Sequence, residues 1–356
     1  MRHTISVKYL AALLLCVGCG LVILSFDVAA ISITRFRRQQ HDTPTNTSNR
    51  IIVDCITASF DSGWTNESAL CNDRGKPRLA YMLYATDART VCNAVIMAHN
   101  IRKLGTPPSI PIVALVVDDV PAAIVQRLTD AGIVAIPVAH WKQAGVPSNA
   151  EWVSSLTKLR IFEARGYDKV IYLDSDAVIQ RNLDHLFHLG DAVLWAPHAY
   201  YIGEQYAFGS TLLVFSPSSN QTFETIERAM ATPPRPDYYD MDVLNDLFRT
   251  TCGYLPNHYV VLTYTIVDDV TWSFASKAER ILSTYVHHFS PGLGIFKPWN
   301  TPRSVLDHRE ASYEPLFYDL LAEYWDHEDA MCAWLQAGNH PTGVENATDG
   351  IHNALS

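Results

Sequence analysis

The segment Lys169-Val170-Ile171-Tyr172-Leu173-Asp174-Ser175-Asp176 is an apolar run that ends in two acidic residues. Four consecutive apolar residues between polar ones predict a buried strand over residues 169–173. Side chains at i and i+2 of an extended segment point to the same side, so Asp174 and Asp176 can converge on one divalent cation. Their hard oxygen ligands suit Mn²⁺ or Mg²⁺. The alternative interpretation is a loop with two solvated aspartates.

This strand belongs to a series in which apolar strands alternate with amphipathic helices. Such a series predicts βαβ units, an α/β fold class and a Rossmann-like, mostly parallel central sheet. The predicted strands are 79–84, 110–117, 133–138 and 169–173, and the predicted helices are 90–104, 122–131 and 156–165. Ligands of these sheets bind beyond the carboxyl ends of the strands, where Asp174 and Asp176 lie. The second half is less regular, with a helix expected over 241–249 and strands over 259–266 and 281–288.

The charge distribution excludes one class of partner. The 356-residue chain has a net charge of −10, and basic residues cluster before residue 39 rather than in the globular part. Nucleic-acid binding requires Lys and Arg to neutralise phosphates. We therefore expect no nucleic-acid partner.

The N-terminal region carries an almost continuous apolar run over residues 9–26, followed by a weaker run and by basic residues at 35–38. Its length is at the lower edge of a membrane span. The expected organisation is a short tail (1–8), a signal-anchor transmembrane helix (9–33), a turn-rich stem or linker (34–77), a catalytic domain (78–310) and a C-terminal helical extension and tail (311–356). A cleaved signal peptide is the alternative.

Four Asn-x-Ser/Thr sequons, at Asn46, Asn66, Asn220 and Asn346, accompany this apolar run. Together they indicate the secretory pathway, with the catalytic domain in the lumen of the Golgi or ER on a single-pass type II anchor, or secreted if the segment is cleaved. That compartment permits disulfides. Cys55–Cys71 is the expected pair, although pairing cannot be derived from sequence.

Two further motifs carry residues suited to a phosphate and sugar site. His288 can supply a third metal ligand, Gly294 allows close approach of the backbone to a phosphate, and Lys297 supplies a positive charge. The acids Asp237 and Asp240 open a predicted helix and can bind sugar or acceptor hydroxyls. The plainer interpretations are a histidine bonded within the core beside a turn, and ordinary helix capping.

With these motifs in order, the chain resembles glycosyltransferase family 8, the glycogenin-like and galactinol-synthase-like group. The resemblance covers about residues 79–299 and rests on several spaced motifs. Residues 172–176 match the family's metal motif, 182–187 match its usual sequel, and His288-Phe289 with 294–299 match the closing motif. Residues 83–87 look like the nucleotide-contacting loop, and 156–159 resemble the segment whose lysine reaches the donor.

The resemblance implies a GT-A type nucleotide-diphospho-sugar transferase fold, a UDP-sugar donor, Mn²⁺ (or Mg²⁺) and retention of anomeric configuration. It also implies the site residues. These are Asp237, Asp240 and Lys158 for catalysis; Leu83, Ala85, Thr86, Lys158, Asp174, Ser175, Asp176, Gly294 and Lys297 for donor binding; and Asp174, Asp176 and His288 for the metal.

Three departures from the family pattern concern the donor sugar. Met241 stands where glycogenin-like members often carry Gln, and Phe208-Gly209-Ser210-Thr211 replaces the usual Phe-Asn-Ser-Gly. Three extra residues separate His288 from Lys297. The donor therefore stays open among UDP-glucose, UDP-galactose and UDP-N-acetylglucosamine.

The expected function is transfer of a hexose or N-acetylhexosamine from a UDP-sugar to a glycan or other hydroxyl acceptor. The anchored layout resembles that of a fungal Golgi N-acetylglucosaminyltransferase within the family. Expected partners are the donor, the acceptor, the membrane through the anchor and, as an open alternative, a second copy in a homodimer. The alternative function is a weak or inactive GT-A paralogue that binds nucleotide sugars or glycans.

Overall fold

The computed structural model describes residues 12–17, 20–25, 76–141, 155–202, 206–217, 219–267, 276–292 and 294–337. The chain divides into two units, Met1–Lys76 and Pro77–Ser356, and each is considered by itself. The expected pair Cys55–Cys71 and the sequons at Asn46, Asn66 and Asn346 lie outside the described residues.

In the first unit, Ala12–Val17 (β1) and Gly20–Ser25 (β2) form an antiparallel pair of strands. The helix predicted over 9–33 is therefore not observed at these residues. An apolar run can form a strand or a helix, and periodicity alone does not separate the two. Gly18 and Gly20 also disfavour a helix. Among the described residues, no helix combines the length and apolar character needed to span a membrane.

The central sheet of the second unit has seven strands: Leu79–Ala85 (β3), Ile112–Val117 (β4), Val134–Val138 (β5), Lys169–Leu173 (β6), Trp195–Pro197 (β8), Leu212–Phe215 (β9) and Gly253–Leu255 (β10). Their order is β10-β8-β9-β6-β3-β4-β5. The neighbours β6, β3, β4 and β5 run parallel, and β9 is antiparallel to β6 and β8. The α/β class and the mostly parallel sheet are confirmed.

Helices cover this sheet for a simple physical reason. Every residue of β4 is buried, so both faces of the strand need apolar cover. Helix Ala88–Lys103 (α1) supplies part of that cover and begins at Asp87, whose carboxylate accepts a hydrogen bond from Thr90 N in a capping box. Helix Ala122–Asp130 (α2) follows β4. Both lie where sequence periodicity predicted helices.

A smaller sheet joins two distant parts of the chain. Ala177–Ile179 (β7) pairs antiparallel with Val286–His288 (β12), which pairs parallel with Val260–Leu262 (β11). Because β7 begins directly after Asp176, this pairing brings the segment that ends at His288 alongside the carboxyl end of β6. The smaller sheet therefore joins the two halves of the predicted metal motif.

Three predicted elements of the sheet region are wrong in type or length. Residues 156–165 form the 3-10 helix Ser155–Phe162 instead of an α-helix. Residues 259–266 contain the short β11 and then helix Tyr264–Val267 (α5). The apolar residues near 281 belong to helix Lys277–Ser283 (α6), which is capped by Ser276, and only the last three residues of 281–288 form β12. Short apolar runs are compatible with strand and helix, which explains these errors.

The remaining α-helices of the described residues are Gln221–Met230 (α3), Asp240–Phe248 (α4), Pro315–Met331 (α7) and Ala333–Ala337 (α8). The helix predicted over 241–249 is confirmed as α4. Helix α7 buries Tyr318, Leu321 and Trp325 in a second apolar cluster, which also contains Ile96 of α1 and Val261 of β11. A disulfide between Cys92 of α1 and Cys332 joins this C-terminal part to α1, with Cα atoms 5.8 Å apart.

Removal of this disulfide is expected to destabilise the protein. The bond closes a loop with a sequence separation of 240 residues. Removal of a native disulfide typically costs about 2–5 kcal/mol of folding free energy. The free energy of unfolding of the double variant Cys92→Ser/Cys332→Ser, measured by denaturant titration, should therefore be lower by that amount. Cys252→Ser, which removes a free half-buried thiol, is the control and should change much less. Equal stability of the double variant and the wild type would contradict the prediction.

Candidate metal and nucleotide-sugar site

The candidate site starts at the carboxyl end of β6, in the middle of the central sheet. Asp174 N donates to Thr211 O (2.8 Å), so β9 continues to hold the chain immediately after the strand. Ser175 is buried between the two acids. Asp176 O then accepts a hydrogen bond from Phe289 N (2.9 Å) across the smaller sheet. The backbone on both sides of the acidic motif is therefore fixed.

Three potential metal ligands converge here. Single ligand atoms of Asp174, Asp176 and His288 all lie within 4.8 Å of one another. His288 Nε2 lies 3.1 Å from Asp176 Oδ1. His287, the preceding residue of β12, is 1% exposed, because alternation along the strand sends it to the opposite side. The predicted ligand set is thus assembled by the β7–β12 pairing.

The second nitrogen of His288 has a partner as well. Ser290 Oγ lies 2.5 Å from His288 Nδ1. If Nε2 is to bind a metal it must carry a lone pair, so Nδ1 then carries the proton and donates it to Ser290 Oγ. Ser290 thus acts on the orientation and tautomer of the histidine ring.

Lys297 reaches the same cluster through a turn. Gly292 and Ile295 form an antiparallel bridge, and Gly294 adopts a positive φ of 80° within it. That conformation favours glycine. Lys297 Nζ then forms an ion pair with Asp176 Oδ2. The extra residues between His288 and Lys297 are therefore compatible with Lys297 returning to the acidic motif.

Lys158 is the buried centre of a second part of the site. It lies on the 3-10 helix 155–162 and is 4% exposed. Its Nζ lies 3.2 Å from Asp174 Oδ1 and 2.6 Å from Asp240 Oδ2. Ser210 Oγ accepts from Lys158 (3.1 Å) and donates to Asp240 Oδ2 (2.7 Å). One ammonium group thus joins the metal motif to the start of α4.

The charges of these groups follow from their neighbours. Burial raises the pKa of Asp174, in spite of the Lys158 ammonium. Burial would also raise the pKa of Asp176, but Lys297 and His288 outweigh it and hold that pKa well below its usual range. Lys158 has the same effect on Asp240, whose pKa is lowered against the effect of burial. The pKa of Lys158 is raised by Asp174 and Asp240 in spite of burial. Asp176, Asp240 and Lys158 are therefore charged at neutral pH.

Not every predicted residue joins this cluster. Asp237 is 72% exposed at its side chain, and its carboxylate lies 3.2 Å from Arg235 Nε. Leu83 and Ala85 are buried at the end of β3, and Thr86 N donates to Thr90 Oγ1 (2.8 Å) as α1 begins. Gly294 is exposed. The roles predicted for these residues stay predictions.

Sequence reasoning missed several residues that complete the site. Tyr172 OH donates to Asp174 Oδ1, and it lies two residues earlier on the same strand, so strand alternation could have indicated it. Ser210 lies in the segment 208–211, whose pattern predicts no separate role for its hydroxyl, and Ser290 directly follows the motif residues His288 and Phe289. Tyr201, whose hydroxyl approaches Gly209 and Met241, had no sequence signal.

Comparisons with known proteins agree with this geometry. Residues 142–302 match the sequence model of the family described as "Glycosyl transferase family 8". The matched segment contains the acidic motif, Lys158, Asp240, His288 and Lys297.

The chain is similar to several characterised proteins. It is 28% identical over 229 residues to "Glucose N-acetyltransferase 1" of Aspergillus fumigatus, covering 57% of this chain and 56% of that protein. It is 29% identical over 212 residues to "Galactinol synthase 1" of Solanum lycopersicum, covering 53% of this chain and 64% of that protein. The chain thus spans less than two thirds of either relative. "Galactinol synthase 3" of Arabidopsis thaliana is 24% identical, covering 70% of this chain and 81% of that protein.

Solved structures share the fold. A crystal structure of an active-site mutant of LgtC has a TM-score of 0.52 and 19% sequence identity, and it covers 70% of this chain and 95% of that chain. LgtC in complex with donor and acceptor sugar analogues, a galactosyltransferase by its description, has a TM-score of 0.50 at 19% identity, covering 68% of this chain and 95% of that chain. These likenesses identify the fold as GT-A. The assembled site lies within residues 142–302, the segment that matches glycosyltransferase family 8.

Proposed function

We propose that the chain is a retaining, metal-dependent glycosyltransferase that moves a hexose or N-acetylhexosamine from a UDP-sugar to a glycan or other hydroxyl acceptor. The observation that carries this proposal is the convergence of Asp174, Asp176 and His288 within 4.8 Å of one another. Two carboxylates and one imidazole are ligands that fit Mn²⁺ or Mg²⁺. LgtC, which shares the fold, is described in complex with donor and acceptor sugar analogues, and this supports a sugar donor at the corresponding site.

Each charged residue has a distinct task in this proposal. A bound divalent cation would offset the charge on the leaving diphosphate. Lys297, which contacts Asp176, supplies a second positive charge for the same diphosphate. Lys158 contacts both Asp174 and Asp240, so it fixes the position of the sugar-binding acid relative to the metal motif.

The bond changes follow from the same groups. The bond between sugar C1 and the diphosphate oxygen breaks, a bond from C1 to the acceptor oxygen forms on the same face, and the acceptor proton passes to the leaving phosphate. Asp240 is ion-paired with Lys158 and accepts from Ser210, so its carboxylate is poorly suited to attack C1. It is better suited to bind sugar hydroxyls. Electrostatic stabilisation of the leaving group is then the largest contribution.

A donor panel tests this function. The purified protein is incubated with UDP-glucose, UDP-galactose or UDP-N-acetylglucosamine, and UDP release is measured with Mn²⁺, with EDTA, and with EDTA followed by excess Mn²⁺. We expect one donor to be hydrolysed in the presence of Mn²⁺, with loss in EDTA and recovery on adding metal. UDP binding without release from any donor would favour the binding-module alternative. Equal release in EDTA would overturn the metal dependence.

Mutation of Ser290 tests the metal site independently of turnover. Partners of a metal-bound histidine typically change metal affinity about 10- to 100-fold when removed. Ser290→Ala is therefore expected to weaken Mn²⁺ binding about tenfold, as measured by electron paramagnetic resonance titration of free Mn²⁺. Ser290→Thr keeps the hydroxyl and is the matched control. Wild-type affinity in Ser290→Ala would show that the 2.5 Å contact with His288 Nδ1 does not affect the ligand.

We further propose that the domain works in the lumen of the secretory pathway. The disulfide Cys92–Cys332 supports an oxidising compartment. Asn220, the asparagine of a sequon, is exposed. The full chain produced in a eukaryotic cell should shift in mobility after endoglycosidase treatment and stay protected from protease in intact microsomes. An unglycosylated, protease-accessible protein would contradict this location.

A further inference from the structure

The hydroxyl of Tyr201 lies at the edge of the Lys158 network. It is 3.0 Å from the position that a Cβ atom on Gly209 would take, and 3.8 Å from Met241 Sδ. Gly209 directly precedes Ser210, and Met241 directly follows Asp240. Since Ser210 and Asp240 both contact Lys158, the hydroxyl of Tyr201 is flanked on two sides by neighbours of the buried ammonium group.

The backbone around this hydroxyl is well fixed. Phe208 N donates to Asn245 Oδ1 (2.8 Å), and Asn245 Nδ2 donates to Phe208 O (2.9 Å), which ties this segment to α4. Gly209 N donates to Pro197 O (2.9 Å) at the end of β8. The ring of Tyr201 packs edge-on against Tyr200, with centroids 5.4 Å apart. The position of the Tyr201 hydroxyl is therefore set by several elements of the fold.

This hydroxyl makes only a weak contact within the protein. Thioether sulfur is a weak acceptor, and Met241 Sδ is the one acceptor that Tyr201 reaches among the described residues. Tyrosine hydroxyls in half-buried positions usually find a better partner. Burial also raises the pKa of Tyr201, so the phenol keeps its proton and stays a donor. The Tyr201 hydroxyl is therefore positioned to donate a hydrogen bond to a ligand oxygen beside Asp240.

We propose that the Tyr201 hydroxyl donates a hydrogen bond to an oxygen of the sugar being transferred, and that the Met241 thioether packs against an apolar part of the same sugar. The pair would then set the donor preference. This inference rests on the proposed function. It also explains a glycine at position 209, because a side chain there would displace the Tyr201 hydroxyl.

The first test compares donors in Tyr201→Phe. Loss of one hydrogen bond to the substrate is expected to lower kcat/KM for the preferred UDP-sugar about tenfold. The Kd of UDP, which lacks the sugar, should not change, whereas the Kd of the intact UDP-sugar should rise. Tyr313→Phe, at a tyrosine near the start of α7, is the matched control. Met241→Gln should change the ratio of kcat/KM values among UDP-glucose, UDP-galactose and UDP-N-acetylglucosamine.

The second test uses the contact between Tyr201 and Gly209. Gly209→Ala places a methyl group 3.0 Å from the Tyr201 hydroxyl. It should therefore lower kcat/KM for the preferred UDP-sugar as Tyr201→Phe does. In the double variant Tyr201→Phe/Gly209→Ala the hydroxyl is already absent, so kcat/KM should be little lower than in Tyr201→Phe alone. A simple sum of the two losses would indicate that the residues act independently.

The outcomes separate the two proposals. If the wild type releases UDP and Tyr201→Phe keeps the wild-type kcat/KM, donor ratio and UDP-sugar affinity, this inference fails and the proposed function stands. If the wild type releases no UDP from any donor, the proposed function fails. The inference is then decided by binding alone. A larger loss of UDP-sugar affinity than of UDP affinity in Tyr201→Phe would uphold a hydrogen bond from Tyr201 to the sugar of the bound donor, and equal losses of the two affinities would overturn it.

Discussion

The Asp176→Asn variant is expected to lose metal-dependent UDP release by about 100-fold or more while keeping its fold. Removal of a residue that only hydrogen-bonds to a metal ligand already lowers metal affinity or activity about 10- to 100-fold. Loss of a ligand itself should therefore lower activity by at least the upper value. Asp176 is the carboxylate whose pKa Lys297 and His288 hold well below its usual range against the effect of burial, so it carries full charge at neutral pH. The amide has no charge to offer a cation or Lys297.

Three measurements together check this expectation: UDP release, Mn²⁺ affinity and the free energy of unfolding. Asp130→Asn makes the same chemical change at an exposed position near the end of α2 and should leave all three unchanged. Wild-type Mn²⁺ affinity in Asp176→Asn would remove Asp176 from the ligand set. Loss of the folded state would instead assign the residue a structural role.

The Lys158→Met variant is expected to lose about 3–5 kcal/mol of folding free energy, because removal of one partner leaves buried charge without compensation. Lys158 is 4% exposed and contacts both Asp174 and Asp240. Methionine has a similar length, so packing changes little. Denaturant unfolding in EDTA measures the loss without interference from metal binding. Lys169→Met, at a half-buried lysine that donates to Leu189 O (2.9 Å), is the control and should lose much less.

The pH dependence of this loss has a definite sign. In the wild type, burial would raise the pKa of Asp240 but Lys158 outweighs it, so the carboxylate stabilises the fold above its unfolded pKa of about 4. That contribution disappears as pH falls through the lower folded value. Without Lys158, burial prevails and the folded pKa rises above the unfolded one, so protonation stabilises the variant. The difference between wild type and variant should therefore be larger at pH 7 than at pH 5.

A second substitution separates charge from packing. Asp240→Asn in the Lys158→Met background removes one of the two uncompensated carboxylates and should recover part of the lost stability. No recovery, or a loss independent of pH, would mean that the lysine stabilises the fold through its packed stem instead of its charge.

Local patterns predicted much of the core of this domain. The apolar run of β6 and the acids after it were readable because strand character and i, i+2 alternation depend on a few consecutive residues. The helices α1, α2 and α4 were predicted for the same reason, since an apolar face repeats within each. Short elements such as β11, β12 and α6 were misjudged, because two or three apolar residues do not distinguish a strand from a helix.

The sequence by itself determined the fold class, the acidic motif and the resemblance to glycosyltransferase family 8, since each depends on local patterns or on motifs in a fixed order. Tertiary structure decided which groups meet. It placed Asp240 against Lys158 and left Asp237 exposed, because only the first turn of α4 faces the network. It joined Cys92 to Cys332 and brought the Tyr201 hydroxyl to Gly209 and Met241. Such contacts link residues far apart in the chain, and no local pattern specifies them.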